Sequence, residues 1–132
     1  MSWAGTSGAW PERALVALGA IAGCLGVALS AAASHVTGGG SLEVSARFLL
    51  AHGPVLIGLA AVIATGLVHR PTALAAGGLL AVGLALFSGD LAARAFWGAA
   101  LFPMAAPTGG VLLIAGWAVV AAGAVIVGRK QA

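Results

Sequence analysis

Charged residues divide the chain into long apolar runs. Four apolar runs contain no Asp, Glu, Lys or Arg: residues 14–34 and 48–68, each followed by a histidine, and residues 71–89 and 95–128. The last run is too long for one membrane crossing, but Pro103 and Pro107 divide it and leave a helix from about residue 108. Because about 20 helical residues cross a hydrocarbon core of about 30 Å, each run supplies one transmembrane helix. The pattern predicts an all-α fold, an integral membrane bundle in which one domain, residues 1–132, holds transmembrane helices at roughly 13–34, 45–68, 72–95 and 108–128.

The first apolar run has a competing interpretation as a signal peptide. Its end, Ala31-Ala32-Ala33, resembles the small-residue cleavage site of such peptides. The run is longer than the apolar core of a signal peptide, which has about 7–15 residues. We therefore expect this segment to be retained as a membrane-spanning helix.

The composition excludes several classes of protein. Hydrophobic residues make up 61% of the chain and charged residues 7%, whereas a soluble domain is about 25% charged. A soluble domain and a disordered chain are therefore excluded. The net charge of +3 rests on scattered residues, of which only Arg129 and Lys130 are adjacent. Because nucleic-acid binding needs a clustered basic surface, we expect no nucleic-acid partner. Membrane lipid is the expected surrounding.

The basic residues instead predict an orientation. With four crossings, one side of the membrane receives Arg13, Arg70, Arg129 and Lys130. The other side receives Arg47 and Arg94, each close to an acidic residue. Because cytoplasmic loops carry the excess of Lys and Arg, this asymmetry predicts that both termini lie in the cytoplasm.

Glycines mark the predicted helix contacts, because small residues let transmembrane helices approach closely. The residues expected to pack in this way are Gly19, Gly23, Gly58, Gly66 and Gly116. Gly19 and Gly23 form a G-x-x-x-G pair. Two interpretations stay open for that pair: a tight bundle within one chain, or the seam of a homo-oligomer.

Two histidines are the candidate cofactor ligands. His52 is followed by Gly53-Pro54, and proline deprives the carbonyl of Leu50 of its helical hydrogen bond. We expect His52 about one turn inside the second helix, at a depth similar to that of His35. His52 then either hydrogen-bonds a neighbouring helix or joins His35 in holding haem, a metal ion or quinone. No ligand spacing or acidic cluster supports metal binding, so no cofactor is predicted.

Two acid–base pairs have helical i,i+4 spacing, Glu43 with Arg47 and Asp90 with Arg94. Such a pair contributes about 0.2–0.5 kcal/mol when exposed. The pairs are expected at the non-cytoplasmic face. They form either two solvated pairs at helix ends or one network of four charges that closes this face.

Several stretches resemble a known family. These are residues 17–35, which end in Ser34-His35, residues 47–52, which read Arg-Phe-Leu-Leu-Ala-His, and residues 86–117, which contain Phe87-Ser88-Gly89, Pro107-Thr108-Gly109-Gly110 and Gly116-Trp117. In this order they resemble the small membrane proteins grouped as domain of unknown function number 423. The resemblance implies a four-helix protein of the bacterial inner membrane, and no settled activity.

These observations favour a non-enzymatic accessory or structural membrane protein. It would associate with itself or with a larger membrane complex, such as a respiratory one. Ser88 lacks the G-x-S-x-G context of a hydrolase nucleophile, because position 86 is leucine. The first alternative is a membrane module that holds haem, metal or quinone near His35 and His52. The second alternative, a small transporter, is weakened by the lack of an internal repeat.

Overall fold

A computed structural model describes residues 9–131 of the chain, with the side chains of residues 9–129. Its elements are α1 at Trp10–Ala32, a π-helical turn at Ala33–Thr37, α2 at Ser41–Thr65, α3 at Arg70–Trp97 and α4 at Ala105–Gln131. All four α-helices are long and apolar enough to cross a membrane, and the described residues contain no strand. The prediction of an all-α bundle of four transmembrane helices is confirmed. Residues 1–8 and 132 of the predicted domain, and the side chain of Lys130, lie outside the described part.

The helices begin earlier than the apolar runs suggested. α2 begins at Ser41 rather than near residue 45, because its first polar residues are also helical. The connection before it, Gly38–Gly40, has positive φ at every residue, a conformation that glycine adopts without steric cost. α2 then continues through Pro54. α4 begins at Ala105, so Pro107 lies in its first turn, where the missing N–H has no helical partner to lose.

The two middle helices form the centre of the bundle. α2 packs against α3, α1 packs against α2, and α4 packs against α3. The most deeply buried leucines come from this centre and are Leu42, Leu56 and Leu80. The spans of α1 and α4 are less buried than those of α2 and α3. The outer two helices therefore present most of the exposed apolar surface of the bundle.

Polar contacts mark both ends of the apolar layer. At one end, the hydroxyl of Ser45 donates to the carbonyl of Ser88 at 2.7 Å, and the hydroxyl of Ser88 donates to the carbonyl of Ser45 at 3.3 Å. At the other end, Arg70 binds both carboxylate oxygens of Glu12, at 2.6 and 3.2 Å. Between Arg70 and Ser88, α3 is roughly 27 Å long at 1.5 Å per residue. This length is close to a hydrocarbon core of about 30 Å. We call the two levels the serine end and the arginine end.

Candidate functional site

Asp90 is the most deeply buried charged residue at the serine end. Its side chain is 0% exposed. One carboxylate oxygen accepts a hydrogen bond from Nε of Arg94 at 2.8 Å, and the other accepts one from the backbone N–H of Leu101 at 2.8 Å. The backbone N–H of Ala106, in the first turn of α4, lies close enough to this carboxylate to favour its charged form. Asp90 therefore joins the end of α3 to the start of α4, where a helix N-terminus favours negative charge.

Glu43 and Arg47 lie at a similar depth but in a different environment. Nη2 of Arg47 donates to Oε1 of Glu43 at 2.9 Å, and the two side chains are 73% and 56% exposed, respectively. Among residues 9–129, no ion pair joins this pair to Asp90 and Arg94. The structure thus has one solvated pair and one whose carboxylate is buried. It does not form the network of four charges.

His52 lies inside the apolar layer and joins α2 to α4. Its Nδ1 lies 3.0 Å from the carbonyl of Phe48, and Nε1 of Trp117 donates to its Nε2 at 3.2 Å. A carbonyl only accepts and an indole N–H only donates, so the imidazole is neutral with its proton on Nδ1. The ring also stacks on Phe48 at a centroid distance of 5.7 Å. Both ring nitrogens of His52 are therefore engaged within the chain.

The structure does not bring His35 and His52 together. His35 lies in the π-helical turn and is exposed. Gly19 faces Gly53, and Gly26 faces Leu50. This register places His52 level with about residue 23 of α1, and His35 is about 18 Å further along the axis. The expectation that the two histidines share a depth is wrong, because α2 begins at Ser41 and carries His52 three turns into the helix.

The same geometry bears on cofactor binding. A haem iron or metal ion at His52 needs the lone pair of a ring nitrogen, but Nδ1 faces the carbonyl of Phe48 and Nε2 already accepts the N–H of Trp117. Within the described residues, no group of three or more His, Cys, Asp or Glu side chains has the arrangement of a metal site. The residues present therefore do not fit a group held between His35 and His52.

The glycines predicted to pack fall into two sets. A Cβ added to Gly19 would lie 2.5 Å from the carbonyl oxygen of Gly53, and one added to Gly116 would lie 2.8 Å from Leu80. These two glycines allow close contacts within the chain. A Cβ at Gly23, Gly58 or Gly66 would meet nothing within 4 Å. A side chain at any of the three would point to the surroundings of the bundle, although the backbone of Gly23 lies close to Gly53, where an added Cβ would be 3.1 Å from the nitrogen of Gly23.

Sequence reasoning missed several contacts. The Glu12–Arg70 pair and the Ser45–Ser88 exchange join residues far apart in the chain, and no local spacing reveals them. Further close approaches involve glycines outside the five predicted ones, and Gly53 and Gly109 are two examples. A Cβ at Gly53 would lie 2.8 Å from the carbonyl oxygen of Gly19, and one at Gly109 would lie 2.5 Å from the backbone N of Phe87. The sequence signals for these two contacts were the Gly53-Pro54 step and the Gly109-Gly110 pair, each within an apolar helix.

Shallow cavities lie along the flanks of the bundle. An apolar groove between α1 and α3 passes over Leu49 of α2 and contains adjoining cavities of about 140 and 320 Å³. A more polar cavity of about 390 Å³ lies at the serine end, where Ser30, Ser34 and Glu43 contribute to its lining. All three cavities are open on one side, so they are surface depressions and not enclosed binding chambers.

Comparison with known proteins identifies a family. No curated protein and no solved structure matches the chain. Residues 28–110 match the family model described as protein of unknown function (DUF423). The matched segment begins in α1 and ends in the first turns of α4, so it includes His52, both serines of the serine end and the whole Asp90 cluster. The chain belongs to the DUF423 family.

Proposed function

We propose that this protein is a non-enzymatic accessory or structural subunit of the bacterial inner membrane. It associates, through the lipid-facing side of α1, with a second copy of itself or with a larger membrane complex. The observation that carries the proposal is a contrast: polar side chains inside the bundle bind one another, while α1 offers an open small-residue surface.

The first part of this contrast concerns groups that could otherwise perform chemistry. His52 uses both ring nitrogens on Phe48 and Trp117. Asp90 uses both carboxylate oxygens on Arg94 and Leu101. Among the residues that the structure describes, no buried side-chain nitrogen or oxygen lacks a hydrogen-bond partner. Each group is committed to holding helices together, and this supports a structural role.

The second part concerns the outer surface of α1. A side chain at Gly23 would point away from the rest of the chain, since nothing lies within 4 Å of its Cβ position. Exposed neighbours on this helix include Leu25 and Val27. In a membrane no hydrophobic force drives helices together, because the lipid is as apolar as the helix surface. Small residues between larger apolar ones favour association because they let another helix pack closely. This supports association through α1.

The proposed location is the inner membrane with both termini in the cytoplasm. The arginine end carries Arg13, Arg70 and Arg129, while Arg47 and Arg94 lie at the serine end. An excess of basic residues on the cytoplasmic side supports this orientation. A cysteine at position 132, in a Cys24→Ser background, should react with a membrane-impermeant maleimide only after the cells are opened. Labelling of intact cells would contradict this orientation and place the C-terminus outside the cytoplasm.

Association is tested by substituting matched glycines. Gly23→Leu and Gly58→Leu each add a side chain at an open position, so neither should disturb the bundle. In polymer-bounded discs cut from the native membrane, we expect the wild type and Gly58→Leu to keep the same complex mass. Gly23→Leu should lose that mass and retain its circular dichroism spectrum. A bare monomer from the wild type would overturn the proposal. An unchanged complex in Gly23→Leu would exclude α1 as the contact.

A further inference from the structure

The serine end carries an exposed apolar surface that the proposed function does not use. It consists of the last residues of α3 and the loop 98–104, and we call it the aromatic cap. Its members are Phe96, Trp97, Leu101, Phe102 and Met104. Each is at least 46% exposed, and Trp97 reaches 76%. The other connection at this end contains the glycine run Gly38–Gly40 and one exposed large apolar side chain, Val36, so most of the exposed apolar surface belongs to the α3–α4 side.

The depth of the aromatic cap follows from the helix register. From Ser88 at the serine end, α3 continues to Trp97 for roughly 13 Å. The loop then folds back, because the backbone N–H of Leu101 reaches Asp90 and the side chain of Leu101 lies against Gly89. The cap therefore spans the hydrocarbon boundary and the headgroup layer beyond it. Aromatic side chains accumulate at this depth in membrane proteins.

The loop is held in a conformation that exposes its apolar side chains. Gly98 ends α3 in the left-handed conformation, and its N–H donates to the carbonyl of Arg94. Met104 also has positive φ, 67°, a conformation that non-glycine residues rarely adopt. Its side chain is nevertheless exposed. The hydrogen bond from Leu101 to Asp90 anchors the middle of the loop, and the N–H of Ala105, which donates to the carbonyl of Phe102, closes its end.

The charges near the aromatic cap favour an anionic partner. Asp90 is buried, so the exposed charges at the serine end are Arg47, Arg94 and Glu43. Arg47 is balanced by the exposed Glu43. Arg94 is paired with Asp90 through Nε, but that carboxylate is buried, so the 48% exposed guanidinium is the part of the pair that faces outward. A guanidinium bound on one edge can present its remaining N–H groups to a phosphate.

We propose that the aromatic cap is a binding surface for anionic phospholipid. Trp97, Leu101 and Phe102 enter the boundary between headgroups and acyl chains. The free N–H groups of Arg94 bind the lipid phosphate, and Asp90 fixes both the guanidinium and the loop. The position of apolar side chains across the hydrocarbon boundary carries the proposal, and the guanidinium beside them, whose carboxylate partner is buried, determines the class of lipid. It does not depend on association through α1.

The depth of Trp97 is measured by fluorescence quenching in phosphatidylglycerol bilayers with brominated acyl chains. One protein keeps only Trp97, and a second keeps only Trp117, with the other tryptophans changed to phenylalanine. Bromine near the headgroup should quench Trp97 more strongly than bromine near the chain end, and Trp117 should show the opposite order. Quenching of Trp97 by aqueous acrylamide, or shielding from both quenchers, would overturn the proposal. The latter result would mean that protein covers the cap.

Lipid selectivity is measured by native mass spectrometry from vesicles with equal phosphatidylglycerol and phosphatidylcholine. Arg94→Gln should lower the retention of phosphatidylglycerol about fivefold, since one arginine near an anionic surface contributes about 1 kcal/mol. Arg47→Gln removes the same charge at the same end and should have little effect. The double variant Asp90→Asn with Arg94→Gln removes the guanidinium without leaving a buried charge, and should match Arg94→Gln. Equal losses in Arg47→Gln and Arg94→Gln, or no loss in either Arg94 variant, would overturn the assignment to Arg94.

Discussion

Two ion pairs at the serine end have the same sequence spacing and different structural roles. Glu43 and Arg47 open α2 and are both exposed. Asp90 and Arg94 close α3, and Asp90 is fully buried. The register of Ser45 with Ser88 places Glu43 and Asp90 at nearly the same depth. Neither spacing nor depth therefore explains the difference between the two carboxylates.

The difference comes from the connections beside the two pairs. Gly38–Gly40 turns the chain through its own backbone conformation, and no backbone N–H of that run donates to Glu43 among the described hydrogen bonds. The loop 98–104 instead folds over Asp90 and offers it the N–H of Leu101. One connection is shaped by glycine and the other by a buried carboxylate. This comparison leads to the following predictions, from the largest expected effect to the smallest.

Asp90→Ala should be the most damaging substitution. It removes the acceptor for Leu101 and the partner of Arg94, so the loop 98–104 loses its attachment. We expect the melting temperature in detergent to fall by about 10 °C. A fall no larger than that of Glu43→Ala, measured on the same scale, would remove the distinction between the two pairs.

Gly38→Ala should destabilise the other connection to a smaller extent. Alanine is strained at φ 71°, although nothing lies within 4 Å of its Cβ. We expect a loss of about 1 kcal/mol, or about 4 °C. Met104→Gly is the matched opposite change, because it places glycine where φ is positive and removes a side chain that is exposed. It should not lower the melting temperature. A loss in Met104→Gly would show that its side chain stabilises the loop.

Ser45→Ala should weaken the contact between α2 and α3. It removes the hydroxyl that donates to Ser88 at 2.7 Å, while the weaker return bond at 3.3 Å remains. Hydrogen bonds between transmembrane helices contribute about 0.6 kcal/mol on average. Chemical unfolding in mixed micelles should show a loss of this size, and Ser88→Ala should lose less. The reverse ranking of Ser45→Ala and Ser88→Ala would contradict the geometry.

Glu43→Ala should have the smallest effect. Its carboxylate is more than half exposed and binds only the flexible end of Arg47. Exposed pairs of this kind contribute about 0.3–0.5 kcal/mol. The melting temperature should change by less than about 2 °C, and the change should disappear in high salt. A large fall in melting temperature that persists in high salt would mean that the carboxylate of Glu43 is buried when the protein is in the membrane.

The sequence predicted the fold more completely than the site. The spacing of charges was sufficient for the four helices, because hydrocarbon thickness determines their length. It could not reveal the burial of Asp90, which depends on how the loop 98–104 folds back. The depth of His52 was wrong because polar residues from Ser41 onward extend α2. The role of Trp117 as its hydrogen-bond donor depends on how α3 positions α4 near α2, which no local pattern encodes.

Native mass spectrometry of the protein released from its own membrane tests the central claim most directly. That claim is that the polar groups of the bundle are structural and that the protein acts by association. We predict a stoichiometric complex, with itself or a partner, and no haem, metal or quinone mass on this chain. A bound cofactor that is lost in His52→Ala but kept in the matched His35→Ala variant would contradict the account and make His52 a ligand.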